Sequence, residues 1–303
     1  MVVKTIKERE MSLFNIKNSQ LSLEIDSFGA EIKSLKKNAT QTEYMWNADP
    51  KYWKRTSPVL FPIVGILKNG KYTYNKKEYK MSQHGFARDM EFELKSQSED
   101  EIVFLLKANS ETLAKYPFNF ALEVGYKLDE SSVIVSWKVC NLDSKEMYFS
   151  IGGHPAFMCP IEEGTDQTDC KLLFDTKDNT IISSEIGENG TLLLWKKGLV
   201  LHNGYMNIKE NLFDDDALII ENNQAHKVSL CDKEGKPYIS VSFDAPLFGI
   251  WSPAKKKAPF ICIEPWYGRC DKSIFSGDLS QREWGNKLAC NENFYAEYSI
   301  NIL

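Results

Sequence analysis

Apolar residues in this chain recur at every second position, in segment after segment, and that period admits few folds. Leu21, Leu23 and Ile25 alternate with Ser22, Glu24 and Asp26. Val133, Val135, Trp137 and Val139 repeat the pattern, and Phe294, Ala296, Tyr298, Ile300 and Ile302 repeat it near the C-terminus. Side chains of a strand point alternately to its two faces, so this spacing builds strands with one buried face. Residues 31–35, 101–108 and 119–128 read as further strands, rich in aliphatic and aromatic side chains. Turn signals punctuate the chain at short intervals: Asn69-Gly70, Asn75-Lys76-Lys77, Ser98-Glu99-Asp100, Asp129-Glu130-Ser131, Glu188-Asn189-Gly190 and Lys233-Glu234-Gly235. No long stretch has the 3.6-residue apolar period of a helix; residues 111–116 predict one helical turn, ended by Pro117. The pattern therefore predicts an all-β fold, a sandwich or barrel of antiparallel sheets.

The chain is 43% hydrophobic, enough for a sizeable core, and no linker, repeat or low-complexity block divides it. We read a polar tail over residues 1–10 and one β domain over 11–303, with 271–291 a loop and short helix before the last strand. The formal charge of −5 argues against general nucleic-acid binding, which favours a basic face. No apolar run is long enough to span a bilayer, and residues 1–10 lack the apolar centre of a signal peptide. The seven cysteines are odd in number and none is spaced C-x-x-C, which fits free thiols in a reducing cytoplasm.

Three islands interrupt the strand pattern in the same way. They are Gln83-His84-Gly85-Phe86-Ala87-Arg88, Gly152-Gly153-His154-Pro155 and Cys262-Ile263-Glu264-Pro265-Trp266-Tyr267-Gly268. Each sets a titratable side chain at the end of an apolar or extended segment, beside Gly or Pro. His154 is held between two glycines and Pro155, which fixes the chain direction and removes a backbone donor. Histidine titrates nearest neutral pH, although a tight turn around a solvated or core histidine would have the same sequence. Glu264 follows the run Phe260-Ile261-Cys262-Ile263, apolar enough to be buried on both faces. A carboxylate there needs partners or an altered pKa. The bland alternative is an arginine-paired strand end, with Arg55, Arg88 and Arg269 available. His202 and His226, the other two of the four histidines, sit in polar stretches and read as surface residues.

Arg55 precedes the rigid apolar segment Ser57-Pro58-Val59-Leu60-Phe61-Pro62, which can aim its guanidinium inward; otherwise it is a surface residue. Of Asp214, Asp215 and Asp216, the last adjoins an apolar run and is best placed to face a cleft. Phe86, Phe157, Trp251 and Trp266 gather near the same segments. Aromatic rings suit the apolar C–H faces of sugars, though aromatics in sheets are more often core.

Taken together and in order, His-Gly-Phe-Ala-Arg, Gly-Gly-His-Pro-Ala-Phe and Ile-Glu-Pro-Trp resemble the aldose 1-epimerase (galactose mutarotase) family, most nearly its LacX-like bacterial branch. The resemblance runs from about Phe14 to the C-terminal strand. It implies a large antiparallel β-sandwich, an open cleft, an isomerase acting on a small-molecule aldose, and no cofactor or metal. Position by position, it implies Glu264 as the base on the C1 hydroxyl and His154 as the acid at the ring oxygen. His84 would stabilise charge there, while Arg55 and Asp216 hold sugar hydroxyls. Trp251 and Arg88 complete the expected substrate contacts. The His-Gly-Phe-Ala-Arg form, with Arg88, is shared with hexose-6-phosphate epimerases, so the resemblance leaves two substrate classes open.

Other functions use parts of the same residue set. A non-catalytic sugar-binding protein would use the aromatics without needing an acid and a base. A metal hydrolase would use His84, His154 and Glu264 as zinc ligands, but the chain has no His-Glu-x-x-His pattern. A glycosidase would use Asp216 and Glu264 and leave the histidines without a role.

Overall fold

Hairpins set the connectivity. The computed structural model describes residues 12–303, so the tail read over 1–10 lies outside the described residues. Strand Phe120–Asp129 turns through Glu130 and Ser131 into Ser132–Asn141, with Asp129 opposite Ser132. Asn75 and Lys76 both take positive φ (47° and 64°) between Lys71–Tyr74 and Lys77–Lys80, the backbone that a two-residue hairpin with the correct twist requires. The signals at 98–100, 188–190 and 233–235 likewise fall between antiparallel partners.

About 49% of the structure is strand and 6% helix. One nine-stranded sheet runs in the order Tyr205–Asn207, Lys171–Phe174, Lys227–Cys231, Pro237–Phe243, Asn293–Ile302, Ser132–Asn141, Phe120–Asp129, Glu101–Lys107, Glu93–Gln97. A second sheet runs Leu192–Val200, Thr180–Ile186, Leu218–Glu221, Leu247–Trp251, Phe260–Tyr267, Ile151–Gly153, Val59–Leu60, with Ala156–Met158 also paired to Phe260–Tyr267. A four-stranded sheet is built from Leu13–Lys17, Leu21–Asp26, Glu31–Lys37 and Thr42–Glu43. The predicted helical turn is Ser110–Lys115, capped by Asn109, whose side chain accepts from Thr112 N–H. Within 271–291 the structure has a short 3-10 turn, Leu279–Gln281, and a strand the sequence did not signal, Asn286–Leu288, paired with Met147–Phe149. No helix among the described residues is long and apolar enough to cross a membrane.

Ser132–Asn141 alternates strictly between buried and half-exposed residues, as its sequence requires. The central strand of the second sheet does not: Phe260 through Trp266 are all buried. Alternate residues of that strand serve different faces. Ile261 and Ile263 join the main core with Trp137 and Ile300 from the nine-stranded sheet. Phe260 and Cys262 join a small cluster with Trp46 on the opposite face, and Trp266 joins another with Leu60 and Leu247. Glu264 lies between these two clusters, on the face away from the main core.

Candidate active site

The site forms where a strand is interrupted. Ile151 and Gly152 pair with Tyr267 and Trp266, and Ala156 to Met158 pair with Cys262 to Phe260. Counting along either register sets His154 opposite Glu264. The ladder breaks there because neither Pro155 nor Pro265 has an N–H to donate. Cross-strand neighbours share a face, so imidazole and carboxyl meet: His154 Nε2 lies 3.3 Å from Glu264 Oε2. The contact is close, yet Oε2 and His154 Nδ1 both lack an aligned hydrogen-bond partner among the described residues. Both side chains are buried, Glu264 at 1% exposure and His154 at 7%.

On its other side Glu264 faces Gly249. The Trp266 indole covers that glycine, so a Cβ there would sit 2.4 Å from Trp266 Cη2, and one on Gly152 would sit 2.6 Å from Cδ1. The two glycines that flank this indole are thus required by its close approach. Trp53 stacks on the His154 ring at 4.8 Å and 27°, and Trp251 meets it edge-on at 5.5 Å.

His84 sits in a left-handed turn with φ 65°, followed by Gly85 at 73°. Its backbone N–H donates to Gly65 C=O at 2.8 Å, and its Nδ1 accepts from Gly65 N–H at 3.2 Å. An accepting Nδ1 leaves the ring proton on Nε2. The ring meets His154 edge-on at 5.5 Å. Burial, then the neighbouring His154, Arg88 and Arg55, hold the pKa of His84 well below its usual value.

His84, His154, Glu264, Asp216, Trp251 and Arg88 line one hollow of about 540 Å³ with Trp53 and Trp266, a size that suits a small ligand. A larger hollow of about 780 Å³, bordered by Met158, Gln167 and Pro259, contains none of these groups. The titratable groups expected from the sequence therefore gather in the smaller one. Arg88 donates to Gln83 C=O at 2.6 Å, while its buried Nε has no hydrogen-bond partner. Burial first, then Arg55, lower its pKa to about 10.

Arg55 departs from the expectation that it contacts sugar. Its guanidinium pairs with Asp89 at 2.7 Å and donates to Arg88 C=O at 3.3 Å, and it does not border the hollow. The local acid, Asp89, draws it to the turn that carries Arg88. Phe86 and Phe157 are buried in the main core rather than in the cleft. His202 and His226 are exposed. Trp53 and Gly249 had no sequence signal. Trp53 is one aromatic in the stretch Tyr52-Trp53-Lys54-Arg55, and the need for Gly249 arises only from a residue on the neighbouring strand.

The electrostatics follow from burial. Loss of water, and then the Asp216 carboxylate, push Glu264 well above the usual carboxylate range; the Trp266 indole opposes this weakly. Loss of water, and then the charge of Arg88, lower His154 to about 3. Asp216 is solvent-accessible as a residue, but its carboxyl borders the hollow. Desolvation there raises its pKa against the Ala217 N–H that it accepts at 2.8 Å. In the cleft, His154, Cys262 and Glu264 form one group that could hold a metal, their ligand atoms within 4.8 Å of one another and His84 outside it; a second group, Glu162, Asp232 and Glu234, does not border the hollow.

The sequence model of the Aldose 1-epimerase family matches residues 12–277. This chain belongs to the aldose 1-epimerase family. Protein LacX (plasmid) of Lactococcus lactis subsp. lactis is 34% identical over 296 residues, covering 95% of this chain and 98% of that protein. The galactose mutarotase related enzyme from Lactobacillus acidophilus superposes with a TM-score of 0.90 at 37% identity, over 96% of this chain and 97% of that one. A galactose mutarotase-like protein from Lactobacillus casei ATCC 334 superposes at 0.91 with 31% identity, over 96% and 100%. The chain thus has the fold of an isomerase family and the likeness to LacX that its motifs suggest.

Proposed function

We propose that the protein interconverts the α and β anomers of an aldohexose, with Glu264 and His154 as its acid/base pair. The observation that carries this reading is the buried 3.3 Å contact between Glu264 Oε2 and His154 Nε2. Burial raises the carboxyl pKa, which opposes loss of its proton. Burial and Arg88 lower the imidazole pKa, which opposes gain of a second one. Over a wide pH range the pair therefore holds a single proton between two sites.

Anomerisation needs that state. Burial keeps that proton on Glu264 at rest; in the minor tautomer, with the proton on His154, the Glu264 carboxylate accepts the C1 hydroxyl proton while His154 donates to the ring oxygen, and the C1–O5 bond breaks. The proton inventory then matches the other tautomer, with neutral imidazole and protonated carboxyl. The aldehyde turns about C1–C2. His154 takes back the C5 hydroxyl proton, Glu264 returns one to the carbonyl oxygen, and the ring closes on the other face. No net proton enters or leaves, and no redox step occurs. His84, neutral with its proton on Nε2, donates toward the ring oxygen as charge develops there. Asp216 accepts from sugar hydroxyls, and Trp251 and Trp53 offer apolar walls. Arg55 acts through the Asp89 and Arg88 backbone that it holds.

Glu264→Gln preserves shape and removes the base. Anomerisation of pure α-glucose or α-galactose, followed by polarimetry, should slow roughly 10²–10⁴-fold with sugar binding retained. Near-normal turnover in that variant would end the assignment, and unchanged binding without turnover in the wild type would favour a non-catalytic sugar-binding protein.

One observation favours a second substrate class. Arg88 borders the hollow, its buried Nε without a hydrogen bond and 3.9 Å from Asp89 Oδ2, and guanidinium groups clamp phosphate bidentately. We favour free aldoses. A tenfold preference for hexose 6-phosphates, removed by Arg88→Met, would reverse that choice.

A further inference from the structure

The backbone that carries His154 is held from the side of residues 56–58. His154 N–H donates to Pro58 C=O at 3.1 Å, and Ala156 N–H donates to Thr56 C=O at 2.9 Å. The same segment, from residue 53 on, brings two further groups to the site. Trp53 stacks on the His154 ring, and Arg55 pairs with Asp89 and holds the Arg88 turn. Residues 53–58 lie outside every strand, so no ladder fixes them. Thr56 and Ser57 are nevertheless buried, and among the described residues neither N–H donates to a backbone oxygen. Buried donors need an acceptor. Glu31 supplies it: its Oε1 accepts Thr56 N–H at 2.6 Å and Ser57 N–H at 3.0 Å, while Oε2 pairs with Lys33 at 2.6 Å.

Glu31 is itself firmly placed. It is 4% exposed and opens the strand Glu31–Lys37 of the four-stranded sheet. The C=O of Ala30, next to it, accepts the hydroxyl proton of Tyr126 from the nine-stranded sheet. A carboxylate so buried is tolerated only where hydrogen bonds replace its water, and here they run to two successive peptides of one segment. Glu31 does not border the hollow, so it cannot touch a bound sugar there. We infer that Glu31 is a positioning residue: by clamping residues 56 and 57 it sets the His154 imidazole against Glu264 and keeps Trp53 stacked over it. General acid catalysis depends on such placement, since a misplacement of about 1 Å can cost about 10²-fold in rate. This inference rests on the anomerisation reading.

Glu31→Ala would strand two buried N–H groups and endanger the fold, so the test uses milder variants. Glu31→Gln keeps an oxygen at the Oε1 position and loses only the charge. Glu31→Asp keeps the charge and withdraws the acceptor by one carbon–carbon bond, about 1.5 Å. Lys33→Ala removes the ion pair and leaves the clamp. Anomer-exchange NMR with glucose and galactose should give near wild-type kcat for Glu31→Gln and Lys33→Ala. Glu31→Asp should lower kcat about 10- to 10²-fold with KM nearly unchanged. The His154 ring protons give a second readout. In Glu31→Asp, Trp53 shifts off the imidazole and water reaches it, so its pKa should rise above about 3, while in Glu31→Gln it should stay. A Glu31→Gln variant as slow as Glu31→Asp would overturn the inference. So would a Glu31→Asp variant that is less stable in urea yet keeps its kcat and its His154 pKa, because the carboxylate would then merely brace the fold. The two claims fail separately. If the wild type anomerises no aldose, the acid/base reading fails, and a His154 pKa that moves in Glu31→Asp alone still upholds the clamp. A His154 pKa unmoved in both variants sinks the clamp whatever the activity.

Discussion

Removing Glu264 should make the protein sensitive to mild acid, because two opposing titrations stand back to back in the cleft. His154 has a native pKa of about 3 against about 6.5 in an unfolded chain. Below 6.5 the unfolded chain takes up a proton that the native imidazole refuses, so stability falls as pH falls from 6.5 towards 3. Glu264 has the opposite sign. Its native carboxyl keeps a proton that the unfolded chain releases above about 4.3. Its contribution therefore falls as pH rises through that value and recovers as pH drops. Between pH 7 and 5 the two terms oppose each other. Glu264→Gln deletes one and exposes the other. At pH 5 the unfolded imidazole lies about 1.5 units below its pKa while the native one stays neutral, so the His154 term alone costs about 2 kcal/mol. The imidazole is only 7% exposed, so solvent screening takes little from this. The assay is urea unfolding at pH 7 and pH 5 for Glu264→Gln and for Glu264→Gln/His154→Gln, which share every other titrating group. The single variant should lose about 2 kcal/mol more than the double variant on acidification. Equal losses would refute the argument, since His154 would then titrate alike in both states.

Gly249→Ala puts a methyl group 2.4 Å from Trp266 Cη2. It should cost about 1–3 kcal/mol in urea unfolding and should slow anomerisation, because the displaced indole borders Glu264. Trp53→Ala removes the ring stacked on His154 and admits water. The His154 pKa, followed by NMR of the ring protons, should rise from about 3 towards its ordinary value; an unmoved value would show that Trp53 does not desolvate the site. Polarimetry after EDTA treatment should give unchanged rates, since the proposed reaction uses only a base and an acid. Loss of activity restored by zinc would instead implicate the His154, Cys262 and Glu264 cluster as a metal site.

Four strands of the nine-stranded sheet, within residues 101–107, 120–129, 132–141 and 293–302, were legible in the sequence; Lys227–Cys231 and Glu93–Gln97, which do not alternate, were not. Ser132–Asn141 and Asn293–Ile302 alternate, and alternation is a local property of a half-buried strand. The turns were legible for the same reason, since Asn75-Lys76 carries its backbone preference wherever the chain goes. The second sheet was largely hidden. Its central strand is buried on both faces, which erases the alternation and leaves only an apolar run. The three islands around His84, His154 and Glu264 stood out as breaks in pattern, and the likeness to a family supplied their order.

Their meeting is a tertiary matter. Residues 154 and 264 become neighbours through strand register, and their altered pKa values follow from burial that neither segment produces alone. Arg55 shows the reverse case. Its position near a rigid apolar segment suggested an inward guanidinium, but Asp89, distant in sequence and close in space, binds it at the edge. Gly249 and Gly152 look like any other strand glycines until Trp266 lies across them. Sequence determines what each segment can do by itself: which face is apolar, where the backbone turns, which side chains can titrate. Only the fold decides which groups lose their water together, and that desolvation sets their pKa values.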